Sequence, residues 1–335
     1  MHMADALVIP AVAGVMYAAS ASAAGVSIHK VRLENDAKKI PVMGIMGAFV
    51  FAAQMINFTI PGTGSSGHLC GGMMLTALLG PYAGFLTMIG VLLIQCLFFA
   101  DGGLLALGCN VWNMAFYGCF IGALIWKAFM KNGADKKKII AASVIGSVVT
   151  LQLGAFSVTL ETLISGITEL PFSVFLGVMQ PIHLAIGFVE GLITAAVLCF
   201  VHEARPELLW GVGVAAKEGE GKLSFKKTLA ILGVATLLVG GILSLFASAF
   251  PDGLEWSMEK VAGTTELEAA GTVYETAESV QEATAFLPDY AFPESESAIG
   301  TTVSGIVGAL LVVVLCVGAS YLFRFFRNKR AKAAA

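Results

Sequence analysis

The sequence predicts an all-α polytopic membrane protein: a bundle of about seven transmembrane segments plus a two-helix C-terminal appendage. Three observations lead to this fold class. Of the 335 residues, 57% are hydrophobic and 13% are charged, whereas soluble domains carry about 25% charged residues. Apolar stretches of membrane-spanning length recur along the chain. The basic residues are confined to a few short regions between these stretches, as in cytoplasmic loops.

The apolar stretches predict the helices in order. Those of spanning length fall at 6–26, 40–58, 82–100, 104–126, 139–160, 174–201, 228–249 and 300–323. A shorter stretch at 71–80 ends at Gly80 and Pro81, because proline interrupts a helix. The change in composition after residue 201 divides the chain into a membrane domain (1–201), a cytoplasmic linker (202–227) and a two-helix domain (228–335).

The basic residues predict the orientation. Of the 20 Lys and Arg residues, all but Lys260 lie in 30–39, 127–138, 205–227 and 324–332. Placing all four regions in the cytoplasm requires nine crossings, with the short stretch 71–80 as one of them. The N-terminus and the loop 59–70 then lie outside the cell membrane, and the C-terminus lies in the cytoplasm.

One substantial polar stretch, 251–298, lies between the last two apolar stretches. It contains eleven Asp and Glu residues against one Lys. This composition predicts an extracytoplasmic, partly disordered acidic loop. It is either a solvated connection or a device that concentrates cations near an entrance.

The first residues form a potential chelate. The α-amine of Met1, the backbone nitrogen of His2 and the His2 imidazole can close two small rings around one ion. Planar nitrogen donors suit Ni(II) and Cu(II), and can hold Co(II), better than they suit tetrahedral zinc. The bulky His2 predicts that Met1 is retained, and no cleavable signal peptide is expected. The alternative is that His2 has no role beyond being the second residue.

A fourth donor is offered by His68, which follows a run rich in glycine and serine. Five glycines and a proline between 59 and 72 predict a sharply turning backbone that approaches its surroundings closely. The predicted topology puts this loop and the N-terminus on the same outer face. An ordinary connecting loop is the alternative interpretation.

Four further polar residues are candidates for supporting a metal site: Asp101, Asn110, Asn113 and His183. Asn110 and Asn113 lie one helical turn apart, where they could hold the His68 ring in one tautomer, as could Asp101. Hydrogen bonding between helices is the alternative for both asparagines. His183 and Glu190 lie on one helical face, either in a structural hydrogen-bond network or along a substrate path.

Two helices carry small residues at four-residue spacing, which let another helix approach closely. These are Gly44, Ala48 and Ala52 on one helix, and Gly14, Ala18 and Ser22 on the other. They indicate either packing within the bundle or docking of a partner membrane subunit.

Several motifs are absent from the sequence. It has no GxxxxGK[ST], which argues against nucleotide hydrolysis by this chain, and no HExxH zinc-protease motif. No surface of basic and aromatic residues suggests nucleic-acid binding. The chain is therefore expected not to be an enzyme.

The residues resemble the CbiM/NikM substrate-binding components of energy-coupling-factor transporters. The segments that carry this resemblance are 1–5, 61–72, 101–110 and 190–194. The run Pro251-Asp252-Gly253-Leu254-Glu255 resembles the signature of the small CbiN/NikN-type partner. The resemblance covers essentially the whole chain and implies a fused protein that takes up cobalt or nickel ions.

The resemblance also implies a site and partners. The metal ligands would be the amine of Met1, the backbone nitrogen and side chain of His2, and the side chain of His68. The partners would be a CbiQ/NikQ-like transmembrane coupling subunit and CbiO/NikO-like cytoplasmic ATPases. Co²⁺ or Ni²⁺ would be cargo, and no permanently bound cofactor is expected.

Two departures from the family pattern bear on metal preference. Ala6 follows Asp5 where glycine is common, and the loop 63–67 differs from the commoner Gly-Gly-Thr-Ser-Gly. Two other functions stay open at this point: a stand-alone secondary permease, and a membrane assembly or sensor subunit that moves no metal. The sequence does not choose between cobalt and nickel.

Overall fold

The structure, a computed structural model, describes residues 1–31, 38–212, 222–293, 297 and 299–333, and the side chains up to residue 325. Among these residues, seven helices are long and apolar enough to cross a membrane. This finding confirms the predicted fold class of an all-α polytopic membrane protein. Parts of the predicted linker 202–227 and of the acidic stretch 251–298 lie outside the described residues.

Apart from short 3₁₀ turns, the described residues form eleven helices. They are α1 (Pro10–Lys30), α2 (Lys39–Gln54), α3 (Gly72–Leu79), α4 (Pro81–Phe99), α5 (Leu107–Met130), α6 (Lys136–Ile164), α7 (Phe172–Ala204), α8 (Phe225–Gly241), α9 (Gly253–Ala262), α10 (Thr272–Thr284) and α11 (Ile299–Ala333). Two short antiparallel strands, β1 (Phe58–Ile60) and β2 (Ser65–Gly67), form a hairpin in which Thr59 pairs with Ser66. Within α5, Val111–Ile121 is π-helical.

Each predicted apolar stretch contains one helix, but two helices are short. α2 has 16 residues, and α3 has 8 residues that are all buried. α3 ends because Gly80 adopts a φ of +79°, which favours glycine, and Pro81 begins the next helix at its first position. The count of nine crossings stays a prediction.

Small residues set the closest helix contacts. On α7, a Cβ added at Gly187 or Gly191 would lie 3.0 Å from the Cα of Val148 or 2.5 Å from that of Val144, both on α6. Side chains at these two glycines would force the helices apart, so their absence permits close backbone packing, as is common between membrane helices.

The two small-residue patterns behave differently. A Cβ at Gly44 of α2 would lie 2.8 Å from Val317 of α11, and Ala52 packs against Gly240 of α8. The α2 pattern therefore packs within the chain, against the C-terminal helices. On α1, by contrast, Gly14 has no neighbour within 4 Å of an added Cβ, and it is exposed together with Ala18 and Ser22.

The stretch 251–298 differs from the expected partly disordered loop. Its described residues contain α9 and α10, and the side chains of Leu254 and Met258 are buried. Apolar residues spaced four apart give α9 one buried face, which packs on α7 and β2. A prediction from composition misses this apolar pattern because acidic residues are so frequent in the stretch.

Candidate metal centre

The N-terminal segment before α1 is buried. Met1 is 3% exposed, and Met3 is fully buried. The Asn110 side chain holds this segment by two hydrogen bonds, accepting from the Met3 amide nitrogen at 2.7 Å and donating to the Met3 carbonyl at 3.1 Å. The backbone amide of Gly103 also donates to the Met3 carbonyl, at 2.9 Å. Three hydrogen bonds therefore hold the backbone of Met3 in place.

Gly102 and Gly103 leave room for this segment. A Cβ at Gly103 would lie 1.9 Å from the Asp5 carboxylate, and one at Gly102 would lie 3.2 Å from the Cβ of His2. Gly102 also has a φ of +79°. The Asp5 carboxylate accepts a hydrogen bond from the Ala106 amide at 2.9 Å. The run Asp101-Gly102-Gly103 after α4 therefore forms the surface against which the N-terminal segment packs.

The backbone between β2 and α3 positions His68. The Glu190 carboxylate of α7 accepts hydrogen bonds from the amides of Cys70 at 2.9 Å and Gly71 at 3.1 Å. The Gln54 side chain of α2 donates to the Cys70 carbonyl at 2.8 Å. Buried polar side chains from two helices therefore hold a non-helical segment that would otherwise leave main-chain groups without partners.

The N-terminus and His68 meet directly. The Met1 amine nitrogen lies 2.8 Å from Nε2 of His68, and both groups are buried. Nδ1 of His68 lies 3.1 Å from the Leu69 carbonyl, to which it donates. This hydrogen bond selects the tautomer whose Nε2 lone pair faces the amine, which is the form that binds metal.

Asp252, at the N-terminus of α9, completes the cluster. Its carboxylate oxygen Oδ2 forms an ion pair with the Met1 amine and lies 3.3 Å from Nε2 of His68. A role for this residue at the site was not predicted. Its position in the PDGLE run was the available signal, but the contact spans 251 positions of chain and could not be read from spacing.

His2 lies beside this cluster. Its ring stacks on that of His68, with centroids 5.1 Å apart and an interplanar angle of 22°. Nδ1 of His2 lies 3.1 Å from the Asp101 carboxylate, and the buried Nε2 has no hydrogen-bond partner. If Nδ1 binds an ion, the ring must first exchange the Asp101 carboxylate for that ion.

The ionisable groups of this cluster shift one another's pKa. Burial favours the neutral amine, but the Asp252 carboxylate outweighs it and raises the pKa of the Met1 amine above its ordinary value of 8.0. Although burial opposes its ionisation, the adjacent amine and His68 hold the pKa of Asp252 well below its usual range. Burial lowers the pKa of His2 to about 4. At neutral pH, these shifts favour an ammonium–carboxylate pair between Met1 and Asp252 beside a neutral His2.

A cavity of about 790 Å³ leads to this cluster. His2 and His68 line it, together with acidic residues from the N-terminal segment, the end of α4 and the stretch 251–298. These acidic residues are Asp5, Asp101, Asp252, Glu255, Glu266, Glu268, Glu278 and Asp289. Carboxylates of one sign around a concave surface raise the local concentration of cations.

Among the four supporting candidates, the structure changes the expected contacts. Asp101, Asn110 and Asn113 were expected to hold the His68 ring or, for the asparagines, to bond between helices, and in the structure Asp101 contacts His2 and Asn110 contacts Met3. The carbonyl of Leu69 takes the orienting role instead.

Asn113 belongs to a separate buried contact. Its amide donates to the Glu161 carboxylate of α6 at 2.7 Å and lies 3.5 Å from the Met3 sulfur. Glu161 was missed in the sequence analysis because it lies one residue beyond the apolar stretch 139–160. In the sequence, an acidic residue at that boundary indicates the end of a membrane span.

His183 lies near the cluster without a direct hydrogen bond to it. Its Nδ1 lies 2.8 Å from the Met179 carbonyl, and its buried Nε2 has no partner. It lines a small cavity with Met1, His68 and Asp252. Seven residues further along α7, the Glu190 carboxylate accepts the hydrogen bonds that hold the His68 loop.

The donor set is suited to a planar metal complex. Nitrogen ligands at right angles, with bonds of about 2.0 Å, lie about 2.8 Å apart. The Met1 amine and His68 already have this separation. In the described part of the chain, no group of three His, Cys, Asp or Glu side chains could hold a metal ion.

Comparison with known protein families gives two matches that together cover most of the chain. The CbiM family model, described as the cobalt uptake substrate-specific transmembrane region, matches residues 2–208. The PDGLE domain model matches residues 226–325.

Two transport proteins and one solved structure are similar to large parts of this chain. A putative fused nickel transport protein NikMN of Archaeoglobus fulgidus is 36% identical over 94% of this chain and 96% of its own length. A cobalt transport protein CbiM of Geobacter sulfurreducens is 30% identical over 78% of each chain. The crystal structure of a transition metal transporter is similar with a TM-score of 0.55 and 29% identity, covering 66% of this chain and 100% of that one.

Proposed function

The chain belongs to the CbiM family of cobalt-uptake transmembrane proteins and carries a PDGLE domain, and on that premise we propose that it captures cobalt or nickel for an ATP-driven importer. Cobalt and nickel ions are the substrates of this family, and the chain is a multi-pass membrane protein. Capture by a defined nitrogen site and coupling to ATPases are the parts of the proposal that experiments must test.

The proposed ligands are the Met1 amine, the backbone nitrogen and imidazole of His2, and Nε2 of His68. One observation carries this assignment: the amine nitrogen lies 2.8 Å from Nε2 of His68, inside the protein. Two nitrogens at this separation can bind the same ion as neighbouring corners of a square. The two small rings formed by Met1 and His2 supply the remaining corners.

Planar nitrogen geometry would discriminate against zinc, which prefers a tetrahedron. Cu(II) would bind such a set at least as tightly as nickel, so its exclusion would rest on availability and partners. The choice between cobalt and nickel is not made by these donors, and relatives named for each metal are similar to this chain.

The proposed orientation places the site on the outer face. The basic regions face the cytoplasm, and the acidic cavity opens outside, where it would concentrate divalent cations before capture. The pairing of Met1 with Asp252 implies that an arriving ion displaces the amine proton, since only the deprotonated amine is a ligand.

The proposed partners supply the energy. Family components work with other transporter subunits, and we assign these as a CbiQ/NikQ-like transmembrane coupling subunit and CbiO/NikO-like cytoplasmic ATPases. The lack of a GxxxxGK[ST] motif in the sequence supports ATP hydrolysis by a partner. The exposed small residues Gly14, Ala18 and Ser22 on α1 offer a stripe that a coupling subunit could pack against closely.

The test measures nickel and cobalt uptake by cells that express the chain with the candidate partner subunits. Replacing His2 or His68 by alanine should reduce uptake to the level of cells without the chain. His202→Ala, on the opposite side of the proposed topology, serves as the matched control and should transport normally. Unimpaired uptake by the His68→Ala variant would contradict the site, and ATP-independent uptake by the chain alone would favour a secondary permease.

A further inference from the structure

Asp252 comes from the PDGLE domain, yet it touches two of the proposed ligands of the CbiM domain. Its Oδ2 atom contacts both the Met1 amine and Nε2 of His68. The Asp252 side chain is 13% exposed, and those of its two partners are 3% and 6% exposed. The contact therefore lies inside the protein and is not a surface ion pair.

The PDGLE run orients this carboxylate. Oδ1 of Asp252 caps α9 by accepting hydrogen bonds from the amides of Leu254 at 2.6 Å and Glu255 at 3.3 Å. The Glu255 side chain in turn accepts from the Asp252 amide at 3.0 Å, which completes a capping box. Because the cap occupies Oδ1, Oδ2 is left to face the amine and His68.

The neighbouring positions of the run keep the cap in place. The Pro251 carbonyl accepts a hydrogen bond from the Ser66 amide at 2.8 Å, which ties the run to β2. At Gly253, a Cβ would lie 2.6 Å from Ile186 and 3.1 Å from the His183 ring, so any side chain would push α9 away. The buried Leu254 anchors the first turn. Together these contacts hold one carboxylate oxygen of Asp252 at the site.

We infer that Asp252 is itself a ligand of the transported ion, adding a carboxylate oxygen to the nitrogen set. This inference rests on the proposed function. Donors bound at right angles to one first-row divalent ion, at about 2.0–2.2 Å, lie about 2.8–3.1 Å apart. The amine and His68 are 2.8 Å apart, and Nε2 of His68 and Oδ2 of Asp252 are 3.3 Å apart. The first distance lies within this range and the second slightly exceeds it, and Oδ2 of Asp252 also contacts the amine, so small shifts would bring all three atoms to one ion.

Charge balance favours this assignment. A divalent ion bound by one deprotonated backbone amide and three neutral nitrogens leaves a net positive charge in a buried site. Such a charge is costly to bury unless a counter-charge accompanies it. The Asp252 carboxylate brings the buried complex to neutrality. A fifth donor also changes the geometry from planar to pyramidal, so the PDGLE domain would shape the metal preference of the CbiM domain.

The experiment uses the full chain, purified with an unextended N-terminus and loaded with Ni(II). Four nitrogens alone give a planar, diamagnetic Ni(II) complex, whereas an added oxygen gives a paramagnetic one with higher coordination number. Asp252→Asn retains an oxygen that can cap α9, so the fold is preserved. Glu259→Gln removes one carboxylate from an exposed position of the same helix and is the matched control.

We expect the wild-type and Glu259→Gln complexes to be paramagnetic, with an oxygen donor in X-ray absorption spectra. Asp252→Asn should become planar and diamagnetic and should bind nickel about 10- to 100-fold more weakly, since loss of even indirect support has that effect. A planar wild-type complex, or an Asp252→Asn complex with wild-type spectra at any affinity, would overturn the inference. Loss of binding in His68→Ala in the same assay separates this outcome from failure of the proposed function itself.

Discussion

The two hydrogen bonds of Asn110 provide a way to weaken the site without touching a ligand. In an Asn110→Leu variant, the Met3 carbonyl keeps its hydrogen bond from Gly103, but the Met3 amide loses the acceptor that Asn110 supplies. Met3 is fully buried, so water cannot replace that acceptor. The substitution therefore leaves one unsatisfied donor in the docked N-terminal segment.

The size of the effect follows from that single donor. A buried donor without an acceptor costs about 1–3 kcal/mol. The cost falls on the docked segment, and an ion needs the docked amine beside His68, so the loss appears as weaker metal binding. At about 1.4 kcal/mol for each factor of ten, nickel affinity should fall about 5- to 150-fold.

The assay is competition for Ni(II) between the purified variant and a chromophoric chelator of known affinity. Gln152→Leu is the control, because Gln152 also donates an amide hydrogen bond to a main-chain carbonyl, at 2.8 Å, but between α6 and α7. Its metal affinity should match that of the wild type. If Asn110→Leu binds nickel within twofold of Gln152→Leu, the docked segment does not govern the site and the reasoning is refuted.

Three further outcomes are expected. Glu190→Leu removes the acceptor for the amides of Cys70 and Gly71 and should weaken nickel binding more than Glu190→Gln does; equal affinities for both variants and wild type would contradict the role given to the loop. Because ion binding displaces a proton from the Met1 amine, whose pKa is raised, affinity should still rise with pH above 8.0, by up to about tenfold per unit for each proton released, and an affinity that levels off below that pH would contradict the pairing. Gly14→Ile fills open space on α1, so it should leave nickel binding by the purified chain unchanged but reduce ATP-driven uptake, and normal uptake would exclude this stripe as the coupling surface.

Periodicity and charge predicted much of the fold. The apolar stretches coincide with helices because a membrane span leaves an unambiguous length of apolar sequence. The α2 pattern of small residues packs within the chain, but its partners, α8 and α11, could not be identified because any spanning helix would have satisfied it. The helices α9 and α10 within 251–298 were not predicted, because the acidic residues of this stretch mask the apolar side chains that are buried on α9.

The site was predictable where local chemistry was distinctive. An amine next to a histidine, and a second histidine among glycines, marked Met1, His2 and His68, and the structure brings Met1 and His68 together. Asp252 stands out among the eleven acidic residues of its stretch by its place in the PDGLE run, but nothing in that run indicates that it contacts the N-terminus. Its contact with Met1 depends on how the C-terminal domain packs on the first, which spacing does not encode.

The most direct test of the central claim is nickel binding by the chain with and without residues added before Met1. An N-terminal extension joined through a cleavable site converts the amine into a peptide nitrogen and leaves every side chain unchanged. The account predicts that the extended chain fails to compete for Ni(II), and that cleavage restoring Met1 as the first residue restores binding. Equal nickel affinity before and after cleavage would contradict the claim that the amine is a ligand.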